Sequence, residues 1–355
     1  MEQSSYILME GTQSRGIDWQ VQSVTPAGVG REIISSHKIP ISDNLYEGIF
    51  GYKSYCSLNS KISKFSGDII LVTGPTLISC LSVRSHSAKK ILSIHFCHGS
   101  GFKDMLKWKA FYEFIKYDYQ AIIFASSYIL EEARKIAPQL QDKFYLIENS
   151  IKRCSAVTAN ERVNARKMLD IPDDSFVIGN AGWLIARKRF DIFLEVCARL
   201  SSPHPHLLFL IAGDGSLRGE LEEFATKLGI NDKVKWIGWQ KDLNPFYQSL
   251  DLLLFNSDSD ALGRTILEAL GYGIPVVASI LEGGADSILL HQANGYLIRE
   301  HNIDLLTKYC LDLIENPLIT NQFRYNSIEK ITKQYTTDIF IQKYMNVFNQ
   351  VLEIS

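Results

Sequence analysis

The sequence predicts an α/β protein built from two doubly wound domains, each with a mainly parallel sheet. Three observations carry that expectation. At 355 residues the chain exceeds one average domain and suits two of roughly 150 to 180 residues each. Short apolar runs alternate with amphipathic stretches along most of its length, the rhythm of strand and crossover helix. A content of 46% hydrophobic and 21% charged residues fits two self-supporting cores and excludes a disordered or fibrous chain.

In the first half the apolar runs "SYILM", "DIILVTG", "KKILSIHF" and "AIIFASS" read as strands, and "FYLIENSI" closes the set. The polar stretch "KRCSAVTANERVNARKMLDIPDDS" follows as linker and helix, and the interdomain crossing falls around Lys152 to Asp174. The expected domains are residues 1–152 and 153–335.

The second half is more regular: "FVIGNAG", "FDIFLEVCARL", "HLLFLIAG", "LRGELEEFATKLG", "KVKWIGW", "LDLLLFN", "RTILEALGYG" and "PVVAS" alternate strand with helix. In the fourth of these, Leu217, Leu221, Phe224, Ala225 and Leu228 recur at three- and four-residue steps, with Gly229 as the stop. Residues 336–355 carry Ile339, Tyr344, Val347 and Phe348 as candidate buried positions on a last helix. That helix comes after the second sheet should be complete, so packing back on the N-terminal domain is open to it.

A net charge of -2 gives no reason to expect nucleic acid as a partner. Up to Arg153 there are 18 Lys and Arg against 14 Asp and Glu, which leaves the second half acidic. Random scatter explains this, and so does a first half that faces an anionic surface or acceptor. Six widely spaced cysteines, with no C-x-x-C pair, read as free thiols in a reducing cytosol. The start "MEQSSYILMEG" lacks a basic region before its apolar run, and no apolar stretch approaches 18 residues. A cytoplasmic protein is expected.

In doubly wound domains ligands sit at the carboxyl ends of strands, where helix N-termini present unpaired amides. "LDLLLFNSDSDALGRTILEALGYGIPVVAS" has the order strand, polar loop, helix, strand. Gly263 lets backbone approach a ligand, Arg264 opens the helix, and together with the positive helix end they suit a phosphate. Glu268, one turn on, is placed to accept from ribose hydroxyls. A loop glycine and a surface glutamate is the bland alternative. "GNAGWLIARKRFD" puts Arg187, Lys188 and Arg189 after Gly182 at the first strand's end, either as a surface triplet or as a second contact to a diphosphate. Asp258 and Asp260 invite a metal-clamp reading, but the cations nearby make a metal unnecessary. Asp258 then reads as an ordinary loop carboxylate.

At this point the span from Arg162 to Arg299 resembles the donor-binding domain of family-four retaining glycosyltransferases of GT-B architecture, which have two facing Rossmann-like domains with a cleft between them. The pieces that carry the resemblance are "ARKMLDIPDDSFVIGNAGWL", "GWLIARKRFD", "IAGDGSLRGELE", "VKWIGW", "DALGRTILEALGYGIPVVAS", "EGGADSI" and "NGYLI", in the family's order and spacing. The resemblance implies that Glu268 holds the ribose of a nucleoside-diphosphate sugar and that Asp260 lies near the donor sugar as a catalytic group. It implies a diphosphate contact for Lys188, supported by Arg187, and contacts from the amides of Leu262, Gly263 and Arg264. The backbone from Ile237 to Trp239 would meet the base, and the loop with Glu282, Gly283 and Gly284 would lie beside the sugar. Two departures stand out: Trp183 where the family has an arginine, and Asp-Ala-Leu-Gly for Glu-Gly-Phe-Gly.

In the N-terminal half the resemblance is loose. It makes His98 the histidine near the reacting centre, with His95 expected in the strand and buried. Gly16 in "GTQSRGIDW" matches the first glycine-bearing loop, facing the diphosphate. "GFKDMLKWKAFYEFIKY", 102–118, mixes lysines with aromatics. Either one core face with lysines that snorkel, or contact with an anionic membrane or lipid-linked acceptor, accounts for it. "GDGS" reads as a turn, and Asp286 as a helix-terminal carboxylate. The implied activity is sugar transfer from a nucleoside-diphosphate sugar, UDP favoured over GDP, to a glycan, lipid-linked or small-molecule hydroxyl. No cofactor or metal is called for. The rivals are a GT-B epimerase or phosphorylase, or a partner subunit that binds the donor without turnover.

Overall fold

The computed structural model describes residues 2–24, 41–42, 52–99 and 101–353. They form two units, one of residues 1–150 with 337–355 and one of 151–336.

The first unit opens with helix α1 (Glu2–Gln13), so "SYILM" is helical and not the expected strand. A short apolar run cannot distinguish a strand from the buried stripe of a helix, and Ile7, Leu8 and Met9 form such a stripe here. The helix ends in a Schellman motif: Ile17 N–H donates to Thr12 O (3.3 Å) and Gly16 N–H to Gln13 O (3.1 Å). Strands β1 (Val21–Gln22) and β2 (Ile41–Ser42) pair in parallel. Helix α2 (Tyr52–Ile62) then leads into β3 (Ile69–Thr73), α3 (Leu77–Arg84), β4 (Lys89–Ile94) and α4 (Phe102–Ile115). The run closes with β5 (Ala121–Phe124), α5 (Ser127–Ile136) and β6 (Phe144–Leu146). The sheet is parallel in the order β3-β4-β5-β6.

The second unit begins with α6 (Ala159–Met168), held by a capping box in which Thr158 and Glu161 bond reciprocally. Strand β7 (Phe176–Ala181), a 3-10 turn at Ala186–Lys188 and α7 (Phe190–Ser201) follow. Then come β8 (Leu207–Ala212), α8 (Arg218–Lys227), β9 (Val234–Gly238) and α9 (Asn244–Ser249). Strand β10 (Leu252–Asp260), α10 (Arg264–Gly271), β11 (Val276–Gly283), β12 (Tyr296–Ile298), α11 (Ile303–Glu315) and α12 (Pro317–Gln334) complete it. All six strands are parallel in the order β12-β11-β10-β7-β8-β9. Successive residues feed two cores on opposite faces: Val177, Leu210 and Leu253 on one, Ile178, Phe209 and Leu254 on the other.

The strand order reverses between β7 and β10, the switch point at which doubly wound sheets open a crevice. Strand β10 bonds β7 only at Leu252 and Leu253 but follows β11 as far as Asp260 opposite Gly283. The stretch "SDSD", expected as loop, therefore extends the strand past its neighbour and forms one wall of that crevice.

A buried arginine sets the unit's base. Arg166 Nη1 donates to the carbonyls of Asp173 and Ser175 (2.8 Å each), and its Nη2 to Asp251 Oδ2 at 2.7 Å. The last helix, α13 (Thr337–Glu353), belongs to the first unit and packs there on α1. Its Tyr344, Val347 and Phe348 are buried with Ile91 and Ile123, while Phe340 and Ile341 fill the place expected of Ile339, which is half-buried.

Candidate functional site

At the end of β7 the chain turns through Trp183 to the cationic run Arg187, Lys188 and Arg189. At the end of β10 it turns through Ala261 to Gly263 into α10. The two turns lock together. Lys188 Nζ forms an ion pair with Asp260 Oδ2 and lies 5.0 Å from the centre of the Phe255 ring. Arg187 donates from Nη1 to the Ser259 carbonyl, and Ser257 Oγ donates to the Arg187 carbonyl at 3.1 Å. Thr265 Oγ1 donates to Ala181 O at 3.1 Å, which fixes the start of α10 against the end of β7.

Burial pushes the Asp260 carboxyl up, but the Lys188 ammonium, its hydrogen bond, the Gly263 amide and Arg187 outweigh that effect. The group is held below its ordinary value. Its second oxygen accepts from Gly263 N–H at 2.8 Å, so one of the amides expected to face a ligand is already committed within the loop. Gly263 itself sits at φ 83°, in the left-handed region that makes glycine the fitting residue at this helix start. Leu262 is buried in the core.

Gly283 and Gly284 hold this loop from behind. A Cβ on Gly283 would lie 1.7 Å from Asp260 O, and Gly284 N–H donates to Ala261 O at 2.9 Å. Both glycines are thus support for the Asp260 turn. One turn into α10, Glu268 accepts from Arg264 Nε at Oε1 (2.8 Å) and from Tyr247 O–H at Oε2 (2.7 Å). Burial, and then the Glu268 charge, push the Tyr247 hydroxyl well above its ordinary value, so it stays a donor. Two strands from β7, at the end of β9, the Ile237 carbonyl accepts from the Gln240 amide and the Gly238 carbonyl from Gly213 N–H, while Trp239 is half-exposed.

Four readings meet a different setting in the structure. Asp258 is no idle loop carboxylate: its Oδ1 accepts from Arg189 Nη1 at 3.3 Å and from His301 Nε2 at 3.0 Å. His98, expected near the reacting centre, sits in a closed side-chain network. Its side chain has no solvent-exposed surface, and its ring nitrogens are taken by Tyr112 Oη (2.6 Å) and Glu132 Oε2 (3.2 Å). His95, expected in the strand and buried, lies past the end of β4, half-buried and bonded to Ser93 Oγ at 2.9 Å. Gly16 closes a helix where a strand-to-helix loop was expected, because α1 occupies that position. Gly213 and Asp286 keep the structural places expected of them, Asp286 in an ion pair with Arg299 at 3.1 Å. Tyr247, Thr265, Arg189 and His301 were not singled out for the roles they have. Only the pairing of distant side chains reveals them.

Residues 161–330 match the family model described as glycosyl transferases group 1. The lipopolysaccharide core biosynthesis glycosyltransferase LpsE of Rhizobium meliloti (strain 1021) is 27% identical over 202 residues, 56% of this chain and 58% of that relative. The chain thus spans less than two thirds of that curated relative. Over the whole chain the structure superposes on a glycosyltransferase from Rickettsia africae ESF-5 with a TM-score of 0.85 at 15% identity, covering 95% of it. It also superposes on Anabaena Alr3699/HepE in complex with UDP and glucose with a TM-score of 0.83 at 18% identity, over 98% of this chain and 95% of that one. At those identities the likeness establishes the fold. The chain has the GT-B fold, and its residues 161–330 match the model of the glycosyl transferases group 1 family.

Proposed function

We propose that this chain is a retaining glycosyltransferase that binds a nucleoside-diphosphate sugar in the 151–336 unit. The observation that carries the reading is the Lys188–Asp260 pair at the switch point, one helix turn from a Glu268 carboxylate oriented from two sides. A diphosphate offers Lys188 and Arg264 a stronger anionic partner, and the charge that builds on it as it departs is what they stabilise. Glu268 keeps lone pairs for ribose hydroxyls even with both oxygens already bonded once. Asp260 takes a hydroxyl of the donor sugar.

In this reading the acceptor oxygen bonds to the anomeric carbon as the bond to the diphosphate oxygen breaks on the same face. The acceptor proton passes to the departing phosphate, so no enzyme nucleophile is needed. Acceptor recognition falls to the first unit. A UDP-sugar is the favoured donor, which the UDP and glucose held by the Anabaena protein support. A lipid-linked glycan acceptor draws support from the lipopolysaccharide role in the name of the Rhizobium relative.

The start of α4 supports contact with an anionic membrane at its cytoplasmic face. Phe102 (70% exposed), Met105 and Leu106 project there among Lys103, Lys107 and Lys109. Among the described residues no helix is long and apolar enough to cross a membrane. Because two cations flank the site, transfer is expected to proceed without a divalent metal.

The test is thermal stabilisation by UDP-, GDP- and ADP-sugars, followed by transfer to hydroxyl acceptors with and without EDTA. Stabilisation by one of them and an anomerically retained product are expected. No stabilisation by any of the three, or an inverted product, sinks the reading. A second reading rests on Trp183, 63% exposed at the position of an expected cation. It makes the chain a donor-binding partner subunit, and it predicts binding with neither transfer nor slow donor hydrolysis.

A further inference from the structure

Beneath the Lys188–Asp260 pair lies a second one. Residues two apart on a strand share a face, so Asp258 and Asp260 point the same way from β10. The consecutive cations Lys188 and Arg189 meet them one to one. Arg189 joins the 3-10 turn to α7 in the left-handed conformation, φ 45° and ψ 46°, which a residue with a Cβ rarely adopts. Such a conformation persists only where its surroundings over-determine it.

Two carboxylates hold the Arg189 guanidinium. Asp191 lies on α7 itself, with Oδ2 at 2.8 Å from Nη2, and travels with that helix. Asp258 ties Arg189 to the sheet, and it alone is braced from the other side. Asn256 Nδ2 donates to Ser279 Oγ (2.8 Å), Ser279 Oγ lies 2.8 Å from His301 Nδ1, and His301 Nε2 lies 3.0 Å from Asp258. An ionised carboxylate only accepts, so Nε2 carries a proton, and in the neutral ring Nδ1 then takes that of Ser279. Donors thus run in one direction from a buried asparagine to Asp258.

We propose that Asp258, held by His301, is a positioning residue that acts through Arg189 to fix the turn presenting Lys188 to the donor diphosphate. The inference rests on the donor-site reading above. When a diphosphate arrives, the flexible Lys188 stem must swing partly away from Asp260. It arrives at a defined place only if the backbone beneath it does not follow, and the Asp258–Arg189 pair is what keeps that backbone on β10.

The test is calorimetric titration with UDP and UMP, with GDP and ADP and their monophosphates as further probes. Asp258→Asn should bind the diphosphate roughly tenfold more weakly, while its affinity for the monophosphate changes less than about twofold. Retained monophosphate binding also shows that the variant is folded. Arg189→Gly allows the left-handed backbone and removes the guanidinium with the rest of the side chain, and it should show the same loss. The double variant should be no worse than either single one. Arg189→Gly or Asp258→Asn that binds the diphosphate like wild type, or loses monophosphate and diphosphate equally, overturns the inference alone. Wild-type protein that takes up none of the three diphosphates overturns the donor-site reading and the inference with it.

Discussion

Lys188 and Asp260, 72 positions apart in the chain, form an ion pair at the point where the sheet order reverses. Both side chains are largely withdrawn from water. Removing one partner leaves the other without compensation, which costs about 1–3 kcal/mol and more for a charged group. Lys188→Ala should therefore lower the melting temperature, and Lys188→Ala combined with Asp260→Asn should recover part of the loss. Scanning calorimetry of the three proteins checks this independently of any ligand. A double variant that melts below Lys188→Ala would show that the pair is not the origin of the effect.

Glu268 reaches its place through Tyr247, a residue of another helix. With Tyr247→Phe the carboxylate keeps Arg264 but loses its second donor, an interaction worth about 1.5–3 kcal/mol when one partner is charged. Donor affinity should fall roughly tenfold, with kcat at saturating donor close to wild type, because the lost contact orients the ribose partner and does not touch the reacting bond. Glu268→Ala should weaken donor binding by roughly tenfold to a hundredfold. Steady-state kinetics over a range of donor concentrations separate KM from kcat.

Trp183 is mostly exposed directly after the β7 crevice, where the family resemblance places an arginine. Trp183→Arg adds a cation beside Lys188 at a surface that can accept it without repacking. The KM for the donor should drop roughly tenfold, as a further charge-assisted contact to a phosphate predicts. A variant with weaker donor binding than wild type would mean that the indole ring has a contact of its own in the complex.

The second unit was legible because its signals are local. Gly263, Arg264 and Glu268 lie within six residues of one another, and the strand–loop–helix order identifies the loop that carries them. Asp258 was misjudged for the opposite reason. Its partners, Arg189 and His301, are 69 and 43 residues away, and nothing in "SDSD" announces that the strand continues through it. In the first unit, "SYILM" had too few residues to separate period two from period 3.6, so α1 was taken for a strand and Gly16 for its loop. His98 was chosen because the family resemblance, loose in this half, puts a histidine near the reacting centre there. What decides its role is a buried network with Tyr112, Glu132 and Trp108, whose spacing along the chain shows no pattern.

The entry to the second unit carries a pH dependence whose sign is fixed by one carboxylate. Glu161 receives both Arg153 Nη2 (2.9 Å) and Arg153 Nη1, together with the Thr158 N–H (2.8 Å) and hydroxyl (2.9 Å) at the cap of α6. The hydrogen bond from Arg153, then those from Thr158, draw its pKa down to about 2. A carboxyl held below its unfolded value stabilises the fold fully above that value, about 4.3, and loses the contribution as pH falls towards the folded one. Wild-type melting temperature should therefore fall between roughly pH 4.5 and 2 more steeply than that of Glu161→Gln. At pH 7 the variant should melt lower, since it lacks the carboxylate charge that pairs with Arg153, and the two curves should converge near pH 2. The partial exposure of Glu161 keeps the difference small, and salt should shrink it further at pH 7. Parallel curves across that range would mean that the Arg153–Glu161 pair is open in solution and that α6 is capped by Thr158 alone.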